Sequence, residues 1–129
     1  MSRFCASLLV VLGLAACGGS DSTGPTATTA VDVRDNVFSP SAITVGTQVA
    51  TFQDPFGNPY VDSLPATVTW TWRGSDTHNV TFEDGQGSSG TQVSGTHGRQ
   101  FPTAGTFRYR CTIHSTTFTS GMVGSVRVN

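Results

Sequence analysis

The chain contains no lysine; its positive charge comes from seven arginines, set against eight acidic side chains in 129 residues. The arginines do not gather into a run, so the phosphate contacts that a nucleic-acid binder needs have no source, and nucleic acid is not expected as a partner. Charge of either sign is scarce, at 12% of residues, while glycine alone accounts for 15. With its many threonines and serines, that balance suits an exported β-protein better than a helical one. No helical periodicity extends beyond a turn, no internal repeat is present, and at this length one hydrophobic core is the expectation. The one long apolar run, centred on Leu8-Leu9-Val10-Val11-Leu12-Gly13-Leu14, is too short to serve as a mature membrane span.

That run follows Met1-Ser2-Arg3, the charged start and greasy middle of a secretory signal. It ends Leu14-Ala15-Ala16-Cys17, which resembles the lipobox of bacterial lipoproteins. The resemblance implies cleavage before Cys17 and lipidation of that cysteine, anchoring the protein to a membrane of the cell envelope, facing the periplasm or the exterior. Each buried acyl methylene would add about 0.8 kcal/mol. The alternative is an ordinary signal peptide cut at the same small residues, with Cys17 left free. Without Arg3, six arginines face eight acids, a net charge of about −2 that offers nothing to a polyanion. The chain therefore divides into a leader over 1–17, a polar Gly/Ser/Thr tether over 18–29, and a folded domain over 30–129.

Cysteine is rarer than charge. Cys5 leaves with the leader and Cys17 is the expected lipid site, so Cys111 is alone in the domain. In an oxidising compartment cysteines usually pair, and an unpaired one points to reactivity, to intermolecular pairing or to a metal.

From Ala30 onward the pattern is alternation broken by Gly, Pro, Asn and Asp. Strands are expected over 31–34, 42–45, 49–52, 67–72, 78–82, 99–101, 106–111 and 124–128, with a turn at Ser39-Pro40-Ser41. In Thr67-Val68-Thr69-Trp70-Thr71-Trp72, period two puts Val68, Trp70 and Trp72 on one face and threonines on the other. Many short strands predict an all-β, antiparallel Greek-key sandwich. Gln53 to Ala66, rich in proline around Phe56, Tyr60 and Leu64, is expected as a loop or short hairpin packed over a sheet edge, with contact to a partner as the alternative. His97 is expected in an exposed turn.

The chemistry is concentrated near the C-terminus, in Tyr109-Arg110-Cys111-Thr112-Ile113-His114 and Gly121-Met122-Val123-Gly124, with His78 far upstream. One thiolate, two imidazoles and a thioether are the donor types of an electron-transfer copper site: three ligands in a rough plane and a weak axial sulfur. His78, Cys111 and His114 are the candidate planar ligands and Met122 the candidate axial one.

These motifs, with Val68-Thr69-Trp70-Thr71-Trp72, Thr77-His78-Asn79-Val80-Thr81-Phe82 and Ala104-Gly105-Thr106-Phe107-Arg108, resemble the cupredoxins, and among them the plastocyanin-like blue copper proteins, over residues 31 to 129 in order. The resemblance implies a monomer holding one copper ion that cycles between Cu(II) and Cu(I), passing single electrons between donor and acceptor proteins. It assigns Asn79 and Thr112 to a hydrogen bond tying the two ligand loops together, and makes the exposed edge of His114, with Phe118 nearby, the electron port. Two departures stand out: seven residues separate His114 from Met122, more than in plastocyanin, and Gly46 to Ala66 replaces a short turn.

Two other functions fit parts of the same pattern. A copper carrier or sensor could use the same fold without electron traffic, although carriers favour clusters of exposed methionines and Met122 is the only methionine past Met1. A Cys-His nucleophile pair would make an acyl-transfer enzyme, but a domain of this size offers little room for a cleft and an oxyanion hole. The protein is therefore not expected to be an enzyme.

Overall fold

The structure, a computed structural model, describes residues 29–129. Residues 1–28, with Cys5, Cys17 and all but the last residue of the expected tether, lie outside the described residues. Ten strands follow in order: β1 (Ala30–Arg34), β2 (Val37–Ser39), β3 (Ala42–Val45), β4 (Gln48–Gln53), β5 (Pro59–Leu64), β6 (Ala66–Trp72), β7 (Thr81–Phe82), β8 (Thr96–Phe101), β9 (Gly105–Arg110) and β10 (Val123–Val128). Two four-stranded sheets, β2-β1-β6-β8 and β3-β10-β9-β7, form an all-β sandwich, and β4-β5 stands as a separate two-stranded sheet.

The alternation in β6 does what its sequence predicts. Ala66, Val68, Trp70 and Trp72 are buried and Thr67 is exposed. Trp70 lies fully buried between the sheets, its ring edge-on to Phe82 at 5.4 Å and to Tyr109 at 5.2 Å. Edge-to-face pairs of this kind add to the stabilisation that burial itself brings. Val31 and Val33 of β1 and Val126 and Val128 of β10 complete the core from both layers.

The sheets are mixed, not antiparallel throughout. β1 runs parallel to β6 and β3 parallel to β10. Alternation reports which face a residue takes and says nothing about the direction of the neighbouring strand. The four strands between β1 and β6 supply the long connection that a parallel pair requires.

Other expectations shift for local reasons. Asp35-Asn36 turns β1 back onto β2, with Asn36 at φ 62°, a left-handed conformation that asparagine tolerates; a strand thus ends at Ser39, where the Ser-Pro-Ser turn begins. The strand expected over 78–82 shrinks to Thr81–Phe82: the Val80 N–H donates to the Ser89 hydroxyl, and the backbone of His78 is bridged to Gln92. His97 is half-buried inside β8 opposite Trp70, and its Nε2 lies 2.7 Å from the Gly87 carbonyl oxygen. β4 and β5 pair only with each other and do not cover a sheet edge: Phe56 at the tip is 88% exposed, and Val49, Phe52, Tyr60, Val61 and Leu64 are also open to solvent.

Candidate metal centre

Strand direction gathers the candidate residues at one end of the sandwich. Cys111 is the residue after β9, Met122 the residue before β10, and His78 precedes β7, whose Thr81 pairs with Arg110. His78 is pinned by a two-way backbone bridge to Gln92, each N–H donating to the other's carbonyl at 2.9 Å. His114 returns over Cys111 through a turn in which its N–H donates to the Cys111 carbonyl at 3.2 Å.

The result is a triangle of donor atoms. Cys111 Sγ lies 3.7 Å from His78 Nδ1 and 3.6 Å from His114 Nδ1, and the two nitrogens are 3.2 Å apart. Two imidazole nitrogens and a sulfur this close form a socket for an ion. A point equidistant from all three is about 2 Å from each, the length of a metal–imidazole bond and a little short of a metal–thiolate bond. Cys111 and His78 are fully buried and His114 is partly exposed, so the socket is closed except at the His114 edge. Among the described residues this is the one group of three or more His, Cys, Asp or Glu side chains positioned to share an ion, and Cys111 is the one free cysteine.

Asn79 spans the gap between the two ligand loops. Its Nδ2 donates to Thr112 Oγ1 at 2.8 Å and to Thr91 Oγ1 at 3.2 Å, while its Oδ1 accepts the Thr112 N–H at 2.9 Å. Met122 is buried, and its carbonyl accepts the Cys111 N–H at 3.0 Å. The β9–β10 register pairs Arg110 with Val123; one step further Met122 stands opposite Cys111. Directly opposed residues of antiparallel strands share a face, which puts the Met122 and Cys111 side chains on the same side.

The seven-residue segment between His114 and Met122 closes on itself. Ser115 is buried, with its Oγ 2.6 Å from the Thr117 carbonyl oxygen and also against that of Ser120, and Arg110 donates to the Ser115 carbonyl. Gly121 has φ 85°, and a Cβ there would come within 2.7 Å of the His114 carbonyl oxygen, so only glycine lets the loop return so tightly past the ligand. Phe118 is half-buried beneath the Arg110 guanidinium, 4.9 Å from ring centre to Cζ, whereas Ile113, beside His114, is 51% exposed. Sequence reasoning singled out Phe118 and passed over Ile113.

It also passed over Asp35. This residue sits in the β1–β2 turn with its Oδ1 3.7 Å from His78 Nε2. The N–H groups of Asp76 and Ser75 and the Ser75 hydroxyl hold its carboxyl below the ordinary aspartate range, Asp76 most strongly. In sequence, Asp35-Asn36 carries only the signature of a turn.

No protein-family model matches the chain, and no curated protein does. Solved structures do match. A mutant amicyanin in its reduced Cu(I) form is 22% identical with a TM-score of 0.56, the match covering 84% of this chain and 87% of that one. A mutant plastocyanin of fern is 20% identical, TM-score 0.56, covering 78% and 99%. A purple cupredoxin from Nitrosopumilus maritimus is 19% identical, TM-score 0.54, again covering 78% and 99%. What is shared at such identities is the fold. The chain has the cupredoxin fold, and its His78, Cys111 and His114 are arranged as in a type 1 copper site.

Proposed function

We propose that the protein is a one-electron carrier that binds a single copper ion through His78, Cys111 and His114, with Met122 as the axial ligand. The observation that carries this reading is the closed triangle of one sulfur and two Nδ1 atoms, 3.2 to 3.7 Å on a side. When bound, copper supplies a couple between Cu(II) and Cu(I). The chain's part is to hold the ligands so that little moves when the charge changes: His78 by its bridge to Gln92, Cys111 by its bond to Met122, and both loops by Asn79 and Thr112. Burial of Cys111 and His78 keeps water from the donors and is at odds with a nucleophilic thiol, which needs room for a substrate.

The partly exposed edge of His114, flanked by Ile113, is the proposed electron port for donor and acceptor proteins, with Phe118 set further back under Arg110. Anchoring through a lipid on Cys17 is part of the same proposal. It is supported by the Leu14-Ala15-Ala16-Cys17 sequence that ends the apolar run. The test is voltammetry of the copper-loaded protein. A reversible one-electron wave with fast electron exchange is expected. Tight copper binding with no reversible wave would leave only a carrier or sensor.

A further inference from the structure

His78 has two ring nitrogens, and only Nδ1 faces the ligand triangle. Nε2 points the other way, is fully buried and has no hydrogen-bond partner. A neutral imidazole that gives its Nδ1 lone pair to a metal carries its proton on Nε2. Metal binding therefore creates a buried N–H donor, and buried donors are satisfied in all but rare cases.

One acceptor stands in front of it. Asp35 Oδ1 is 3.7 Å away, about 0.8 Å beyond hydrogen-bond contact, and the carboxylate is held there from behind. Its Oδ1 accepts the N–H groups of Ser75 at 2.8 Å and Asp76 at 2.9 Å, and its Oδ2 accepts the Ser75 hydroxyl at 3.2 Å. The segment that brings those donors is itself tied to β1, since Arg73 and Gly74 donate to the Val33 carbonyl. At Gly74 a Cβ would collide with Asp35 Oδ1, so the close approach needs glycine. A turn on one strand and a loop on another thus converge to fix one anion against the outer nitrogen of one ligand.

We propose that Asp35 is a positioning residue for the metal ligand His78: its carboxylate accepts the Nε2–H, fixes the ring's orientation and tautomer, and strengthens Nδ1 as a donor, favouring the higher oxidation state of the bound ion. The inference rests on the reading of the site as a copper centre. Carboxylate–histidine–metal relays act in this way in other metal sites, and loss of the outer partner there typically costs 10–100-fold in metal affinity.

The test is Asp35→Asn in the copper-loaded protein, which keeps an oxygen for Ser75 and Asp76 while removing the charge. Cu(II) affinity should fall by about 10–100-fold. At fixed ambient potential the oxidised-to-reduced ratio should drop by about tenfold, a rise of about 59 mV for a one-electron couple. Asp35→Glu, which retains the charge, should recover part of both. A variant with wild-type potential and Cu(II) affinity would overturn the proposal even if it melted earlier, because Asp35 would then be only a strap for the 73–76 segment. Should Asp35→Asn fail to fold, the Cu(I)-loaded wild type decides by nuclear magnetic resonance. A His78 Nε2–H proton shifted downfield, as in a charge-assisted hydrogen bond, supports the proposal, and one at the position of a free imidazole N–H overturns it. A wild type without thiolate-to-copper colour would remove the copper reading and this inference together; a coloured wild type with an unshifted variant removes this inference alone.

Discussion

Asn79 and Thr112 are joined twice across the site, side chain to side chain at 2.8 Å and Thr112 N–H to Asn79 Oδ1 at 2.9 Å. Each residue directly follows a ligand, so the pair fixes the spacing of His78 and Cys111 before any ion arrives. Asn79→Ala removes both bonds and leaves the Thr112 N–H without its partner. The expected cost is about 1–3 kcal/mol in thermal or denaturant unfolding of the metal-free protein. Thr112→Val removes only the hydroxyl contact and should cost less. The Asn79 variant should also bind copper about 10–100-fold more weakly by competition with a chelator.

Met122 stands opposite Cys111 in the continued β9–β10 register and is buried. Met122→Leu keeps the volume and should cost under about 1.5 kcal/mol in stability. If the thioether lies over the ion, losing that donor removes support from Cu(II), so the reduction potential should rise while the thiolate colour stays. An unchanged potential would make Met122 a core filler only.

The β4–β5 hairpin pairs with nothing but itself and exposes its apolar side chains. Because Gln48 and Leu64 are register partners, replacing Val49–Ser63 by Asn-Gly closes the chain with a two-residue turn. Stability should change by less than about 1 kcal/mol, as for surface changes away from the core. Copper loading should be unaffected. A cooperative loss of the fold in a melting experiment would show that the hairpin supports the sandwich.

Much of this architecture was legible in the sequence, and the residues show why. The period-two run Val68-Trp70-Trp72 assigned β6 and its buried face. Cys111, the one cysteine of the segment expected to fold, pointed to a metal, and the sequence spacing of Cys111 and His114 matched what the turn after β9 delivers. Strand direction was not legible, because alternation is the same in parallel and antiparallel neighbours. Nor was the late start of the strand expected over 78–82, where the Val80 N–H goes to the Ser89 hydroxyl of the loop that follows instead of to a neighbouring strand. Asp35 could not be found from sequence because 42 residues separate it from His78 and only the fold brings them together. His97 looked like a turn residue beside Gly95 and Gly98, and the pairing of β8 with β6 overrode that local signal.

Burial pushes the Tyr109 phenol up to about 12 from an ordinary value of 10.0. The folded state thus prefers the neutral phenol. Its contribution is complete below pH 10 and is lost as pH rises from about 10 through about 12, a loss of about 2–3 kcal/mol at 1.36 kcal/mol per unit. In a Tyr60→Phe background, where Tyr109 is the remaining tyrosine, tyrosinate absorbance should appear near pH 12 together with a fall in unfolding free energy. Ionisation near pH 10 with no loss of stability would contradict the burial of that hydroxyl.

The central claim is that Cys111, as a thiolate, holds copper with His78 and His114. The visible and electron-paramagnetic spectra of the Cu(II)-loaded protein test it most directly. The account predicts an intense thiolate-to-copper absorption and a narrow copper hyperfine splitting, both absent in Cys111→Ser. A colourless wild type carrying one equivalent of Cu(II), or a coloured one whose spectrum survives Cys111→Ser, would contradict it.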